Sequence, residues 1–433
     1  MLFVNFSRAT GNNYVGPGSH KYKNEKENCM KSIKPQMLAS AIGAAISISA
    51  ANAAGISGDT VKIGVLADMG GVYADICGAG CVTAVEMAVE DFGGSVLGKP
   101  IEIVSADDQN KADVGAAIAR KWLDTEDVDA ITGLVASSVT GAVTEITKEK
   151  GKLALISTSA SHAFTTKACS PYNAHWTYNV VALANGTVKP MVQSGKKKWF
   201  FITADYAFGH ALEGVASKVV AENGGEVVGT ARAPLGTTDF SSFVLQAQSS
   251  GADVVALANA GSDFVNSLQS AVEFGLTETT DVAGLLVFTP NAQALDPEVA
   301  GGMRLTTGFY WDLDDQTRAW SKRFKERHGS IPAMGQAGAY SMTTHYLNAI
   351  KEAGTDEAEA VMAVMKQNKP NDFFARNAYL RADGRMVHDM YQVRIKNGSE
   401  RSNPDDIFEV EKVIPGEEAF GPMLDQCNFV ASK

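Results

Sequence analysis

The chain has 433 residues, 45% of them hydrophobic and 20% charged, and a net charge of −11. That balance fits a globular protein large enough to bury real cores, and it excludes a disordered or fibrous chain. The surplus of acid argues against nucleic acid or an anionic membrane as a partner.

The opening residues read as a processing segment. Met30-Lys31-Ser32-Ile33-Lys34 is basic, Met37 to Ala51 is apolar and small, and Ala51-Asn52-Ala53 is a small-x-small cleavage pattern. The apolar run is about fifteen residues and is broken by serines and a glycine, too short and too polar for a permanent membrane span. Residues 30–53 are expected to be a signal peptide for export to the periplasm, and residues 1–29 a non-native extension upstream of a true start at Met30. The six Lys/Arg and two Glu of this segment would leave with it, taking the net charge from −11 to −15. No cysteine follows the cleavage site to carry a lipid, so a soluble product is expected.

From there strand and helix signals alternate. Val61 to Leu66 is a β-branched run, and Val82 to Phe92 has apolar residues at helical spacing. Ile101 to Val104 ends in Asp107-Asp108, Val114 to Leu123 is amphipathic, and 130–134, 139–149 and 153–157 read as strand, helix and strand. A second series follows Trp176. Strands at 198–202, 225–228, 254–258 and 283–288 are separated by helical patterns at 211–223, 240–249 and 263–274. Residues 320–354 return to helical patterning, and Asp383-Gly384 sits between strand-like segments as a hairpin signal. Such repeated units build parallel sheets with helices on both faces, so the fold class is α/β.

Four cysteines remain after cleavage: Cys77, Cys81, Cys169 and Cys427. In an oxidising compartment an even count permits two disulfides in any of three pairings. Cys77 with Cys81 and Cys169 with Cys427 is the favoured one. A metal site would want a denser Cys/His cluster, so neither metal nor cofactor is expected.

Several fragments then occur in one order: Val61 to Asp68, Tyr73-Ala74-Asp75, Ala88 to Gly94, Leu97 to Glu102, Asp107-Asp108-Gln109, Gly133 with Ser137-Ser138, and Asp205-Tyr206-Ala207-Phe208-Gly209. The ordered set resembles the branched-chain amino-acid-binding family of type I periplasmic binding proteins across essentially all of the mature chain. The resemblance implies two doubly wound parallel-sheet lobes joined by three crossovers, with residues 54–175 plus 312–375 in the first lobe and 176–311 plus 376–433 in the second. It implies a monomeric receptor that hands a small ligand to the membrane permease and ATPase of an ABC importer.

The residues themselves point to a carboxylate. Ser137 and Ser138 follow a strand and precede a helix, where hydroxyls and backbone amides face an anion at the positive helix end. Thr158 and Ser159 follow the next strand at the same sheet edge. The alternative is ordinary helix capping, for which Ser and Thr are favoured anyway; the family pattern, with both positions on the ligand carboxylate, tips the reading to binding. Tyr73, Trp176, Tyr206 and Phe208 would enclose the organic part. Two departures stand out. Where leucine-type binders place an aromatic this chain has Ala260 or Gly261, which widens the pocket. Where they carry a glutamate for the ligand ammonium, Thr289-Pro290-Asn291-Ala292-Gln293 has no acid. Asp263 or Asp205 would have to replace it, or the ligand is an aromatic, keto or hydroxy acid.

Catalysis has little support. There is no G-x-S-x-G elbow, Gly78-Ala79-Gly80 fails the dinucleotide fingerprint at Thr83, and the histidines lack H-E-x-x-H spacing. A binding protein rather than an enzyme is expected. A ligand-sensing subunit of a signalling or regulatory complex on the same scaffold is the remaining alternative.

Overall fold

The computed structural model describes residues 55–430. The signal peptide and upstream extension read from the sequence lie outside the described residues. The first sheet comprises β1 (Val61–Ala67), β2 (Ser95–Val96), β3 (Lys99–Asp107), β4 (Ala130–Gly133), β5 (Leu153–Ile156) and β6 (Asn173–His175), ordered β2-β3-β1-β4-β5-β6. All its pairings are parallel except the β2–β3 hairpin. β1, β4 and β5 are buried almost throughout, as strands covered on both faces must be, which is why they read as apolar runs without alternation. Gly64 in β1 lets helix Ala112–Thr125 approach: a Cβ there would lie 2.6 Å from the Trp122 ring.

The second sheet is parallel throughout: β7 (Lys198–Ala204), β8 (Glu226–Ala233), β9 (Val254–Ala258) and β10 (Asp281–Gly284), ordered β10-β9-β7-β8. The run expected as a strand over 283–288 leaves the ladder after Gly284, and Leu285 to Phe288 becomes a buried turn into helix Thr289–Gln293.

β11 (Arg304–Thr307) pairs antiparallel with β14 (Met390–Ile395), and β14 with β15 (Phe408–Ile414). The second lobe therefore carries a separate antiparallel ladder in addition to its parallel sheet. Only a 3-10 turn and a short loop join β14 to β15, and a connection without a crossover helix can only return antiparallel. The hairpin at Asp383-Gly384 forms as β12 (Tyr379–Leu380) and β13 (Met386–Val387). It sits beside β6, where His175 N–H donates to Gly384 O at 2.8 Å, so residues 379–387, counted above with the second lobe, lie against the first sheet.

Helices Asp315–His328 and Met334–Ala353, divided at Gly329 and Pro332, pack on helix Gly78–Phe92 of the first lobe. Arg323 pairs with Asp91 at 2.6 Å, and Tyr340 donates to the same carboxylate at 2.7 Å. The chain thus runs from the first sheet to the second after β6, returns to the first after β11, and leaves it again between β13 and β14. Two disulfides are present, Cys77–Cys81 and Cys169–Cys427, the second tying the C-terminal segment to the first lobe.

Candidate functional site

The carboxyl ends of both parallel sheets face one another, and the segments leaving them meet around a small cavity of about 10 Å³, room for roughly one water. The first lobe contributes Tyr73, Ile76, Val135 and Ala160, and the first passage contributes Tyr178. The second lobe contributes Tyr206, Phe208, Ala260, Leu286 and Phe288. The wall is apolar and aromatic, and its polar atoms are chiefly three phenol hydroxyls.

Each wall residue is held by local chemistry. The buried Asp68 carboxylate accepts N–H bonds from Gly71 (2.7 Å) and Tyr73 (2.9 Å), which folds the loop after β1 so that Tyr73 and Ile76 reach the cleft. The Cys77–Cys81 disulfide fixes the far end of that loop to the first turn of helix Gly78–Phe92. Tyr73 and Tyr206 hydroxyls bond to each other across the lobes. Tyr178 donates to Thr158 O, and its ring meets Phe288 edge-on at 5.8 Å. Burial pushes the pKa of all three tyrosines up, so they are neutral hydrogen-bonding groups.

The lobes also come close together at Gly261. Its backbone lies at φ +64, ψ −141, and a Cβ there would stand 2.2 Å from Val72 O of the opposite lobe. Only glycine allows that approach.

Among the sequence-nominated residues, Tyr73, Tyr206, Phe208 and Ala260 line the cavity. Ser137 and Ser159 lie near it, Ser137 two residues after the wall residue Val135 and Ser159 next in chain to Ala160. Both are buried, and their hydroxyls bond to each other at 3.0 Å. The N-cap of helix Ser137–Lys150 is Ala136, without a side-chain cap, so the Ser137 hydroxyl is not serving as the cap that the alternative reading required. Ser138 is half-buried in the same turn. Thr158 is turned the other way: its side chain lies 2.9 Å from where a Cβ of Gly335 would be, and its hydroxyl bonds Ser157 at 2.9 Å. Trp176 is fully buried against helix Met334–Ala353, donating to Ser341 Oγ at 3.1 Å and packing on His345, so it is not brought into the cavity wall. Asp263 is buried in the first turn of helix Ser262–Glu273, accepts Gly236 N–H at 3.1 Å, and has its pKa raised to about 6 by burial. Asp205 is exposed and pairs with His210 at 2.8 Å.

Helices Gly78–Phe92, Ser137–Lys150, Ala207–Glu222 and Ser262–Glu273 all begin at this edge, and none has a side-chain cap at its N-cap. Their first N–H groups and positive dipole ends are therefore left to other partners. Sequence reasoning missed Ile76, Val135, Ala160, Tyr178, Leu286 and Phe288. Tyr178 had a signal, lying two residues from Trp176 in the same passage, but nothing in Trp176-Thr177-Tyr178 says which ring faces the cleft. Among the described residues no cluster of His, Cys, Asp and Glu could hold a metal, and no helix is long and apolar enough to cross a membrane.

Comparison with known proteins agrees with this architecture. Residues 60–400 match the family described as periplasmic binding protein. A periplasmic binding protein from Burkholderia mallei is 44% identical, with a TM-score of 0.84 over 87% of this chain and 100% of that one. A branched-chain amino-acid ABC transporter periplasmic ligand-binding protein from Burkholderia xenovorans is 38% identical, with a TM-score of 0.75 over 84% and 97%. The Leu/Ile/Val-binding protein homolog 6 of Brucella melitensis is 26% identical over 319 residues, 71% of this chain and 80% of that protein. With two facing parallel sheets, three passages and a cleft at their carboxyl edges, the chain belongs to the periplasmic binding protein family and has its type I fold.

Proposed function

We propose that the protein is the extracytoplasmic receptor of an ABC importer, that it is exported to the periplasm by a cleaved signal peptide, and that it binds a small carboxylate in the interlobe cleft. The carrying observation is the buried Ser137–Ser159 hydroxyl pair at the uncapped start of helix Ser137–Lys150, beside a cavity walled by aromatic rings. Two hydroxyls joined by one hydrogen bond keep one O–H to donate. With the free N–H groups of the first turn they suit an anionic oxygen. The rings would enclose an apolar or aromatic body. The cleft is closed here, so binding requires the lobes to part and close again around the ligand.

No carboxylate lines the cavity, and the Thr289–Gln293 helix uses Asn291 to accept Phe288 N–H at 3.2 Å rather than to present an acid. This favours an aromatic, keto or hydroxy acid over an α-amino acid, whose ammonium would depend on Asp263 leaving Gly236. The test is a thermal-shift screen of mature protein, unfolded and refolded to strip carried ligand, against amino acids, aromatic acids and keto or hydroxy acids. A ligand bound by the native state raises the melting temperature by mass action. Stabilisation by acids without an amino group is the expected result. Stabilisation only by amino acids would overturn the ammonium-free pocket, and silence from every carboxylate would overturn the carboxylate site.

A further inference from the structure

The three interlobe passages are knotted together at one buried point. Trp176, Thr177 and Tyr178 leave β6 without a sheet partner for their carbonyls, yet all three residues are buried, so each carbonyl needs a donor. Two side chains from the far end of the chain supply them. The guanidinium of Arg385 donates to Trp176 O and, at 2.9 Å, to Tyr178 O, while His388 Nε2 meets Thr177 O at 2.6 Å. Arg385 is itself fully buried, its Nε on Met386 O at 2.8 Å and its plane 4.3 Å from the Phe420 ring centre. The nearby Asp383 carboxylate accepts the Arg385 backbone N–H at 3.1 Å and is engaged by Arg381 at 2.8 Å. Three carbonyl dipoles and a ring face therefore meet the Arg385 charge. The second passage joins at Gly308, where a Cβ would lie 3.4 Å from both Thr177 O and His388 Cε1.

The knot is one residue from the ligand cavity. Tyr178 has its carbonyl in the grip of Arg385 and its ring in the cavity wall. We infer that Arg385 and His388 are positioning residues for ligand capture: by gripping the 176–178 carbonyls they join the first and third passages into one pivot and set Tyr178 against the ligand, without touching the ligand themselves. The effect on affinity rests on the receptor reading above; the effect on lobe motion does not.

The experiment uses the mature chain with fluorophores on Lys121→Cys in the first lobe and Lys218→Cys in the second, both exposed, and measures the interlobe distance distribution with and without benzoate or L-leucine as probes. Arg385→Met removes the grip. His388→Phe keeps ring packing between Phe374 and Phe420 but removes the ring nitrogen that meets Thr177 O, and it decides the matter if Arg385→Met does not fold. Expected are a broader ligand-free distance distribution in each folded variant and about tenfold weaker binding of whichever probe the parent binds. The double variant Tyr178→Ala/Arg385→Met should bind no more weakly than Tyr178→Ala alone, because both act through one ring. An unchanged distribution, or losses that simply add, overturns the inference. A parent that binds neither probe counts against the ligand reading, while the width of the distance distribution still decides the pivot.

Discussion

Replacing Gly261 by alanine should prevent full closure of the cleft while leaving each lobe folded. The added Cβ would sit 2.2 Å from Val72 O and 2.9 Å from the Tyr73 ring, both on the opposite lobe. The first contact is about 1 Å inside the distance at which such atoms can rest, and one partner is backbone, so the lobes must stay apart. Two costs follow. The backbone at φ +64, ψ −141 is strained for any residue with a Cβ, about 1–3 kcal/mol, and this appears as a lower melting temperature whether the cleft is open or shut. The clash acts on the closed state alone, and apparent affinity falls in proportion to the closed population, by about tenfold or more. Gly251→Ala separates the two: Gly251 also has positive φ, +70, but no atom lies within 4 Å of its Cβ position, so it should cost stability and leave binding intact. Titration calorimetry on both variants, using the acid that most stabilises the parent, checks the reasoning. A Gly261→Ala protein that binds as tightly as the parent would refute it, because the bound state would then not contain this contact.

Ser137→Ala should weaken carboxylate binding by about 1.5–3 kcal/mol and also lower stability, since it leaves the buried Ser159 hydroxyl without its partner; Ser138→Ala, at a half-buried position, should weaken binding with little change in melting temperature, and unchanged affinity in both would remove the anion site. Asp263 has a folded-state pKa of about 6 against an ordinary 3.8, so its neutral form favours the fold: that contribution is full below pH 3.8 and lost as pH rises through 6. Asp263→Asn should therefore gain stability relative to the parent between pH 4 and 7, and parallel denaturation curves across that range would count against a buried carboxyl. Cys427→Ala opens a bridge spanning 258 residues and should cost about 2–5 kcal/mol, seen as a lower denaturation midpoint.

Much of the fold was legible because buried parallel strands and amphipathic helices leave different periods in sequence. β1, β4, β5, β7 and β9 fall where short apolar runs stand, and the Asp383-Gly384 hairpin forms where its turn residues lie. The antiparallel β11-β14-β15 ladder was not legible, because pairing direction depends on partners some 90 residues away in the chain, Leu305 opposite Val393 for example. At the site, turns that leave strand ends announce Tyr73, Tyr206 and Phe208. Leu286 and Phe288 belong to an apolar run whose composition is the same for a strand interior and for a cavity wall. Trp176 and Thr158 show the reverse difficulty: residue types suited to a ligand can be taken up by a neighbouring helix, here Met334–Ala353 through Ser341 and Gly335.

The interleaving of the lobes along the chain has a consequence for how the molecule is made. The first sheet is complete at His175, but two of the helices that cover it span Asp315–His328 and Met334–Ala353, after the whole second parallel sheet. A chain emerging from its amino end must therefore hold a finished but half-clothed sheet until those helices arrive. Contacts of such long sequence separation slow the search for the native state, and exposed apolar surface in the interval invites association with other chains. Truncation after the second parallel sheet but before residue 353 should yield not one sound lobe but two incomplete ones, and the order of synthesis, rather than final stability, would then set how much correctly assembled protein is recovered.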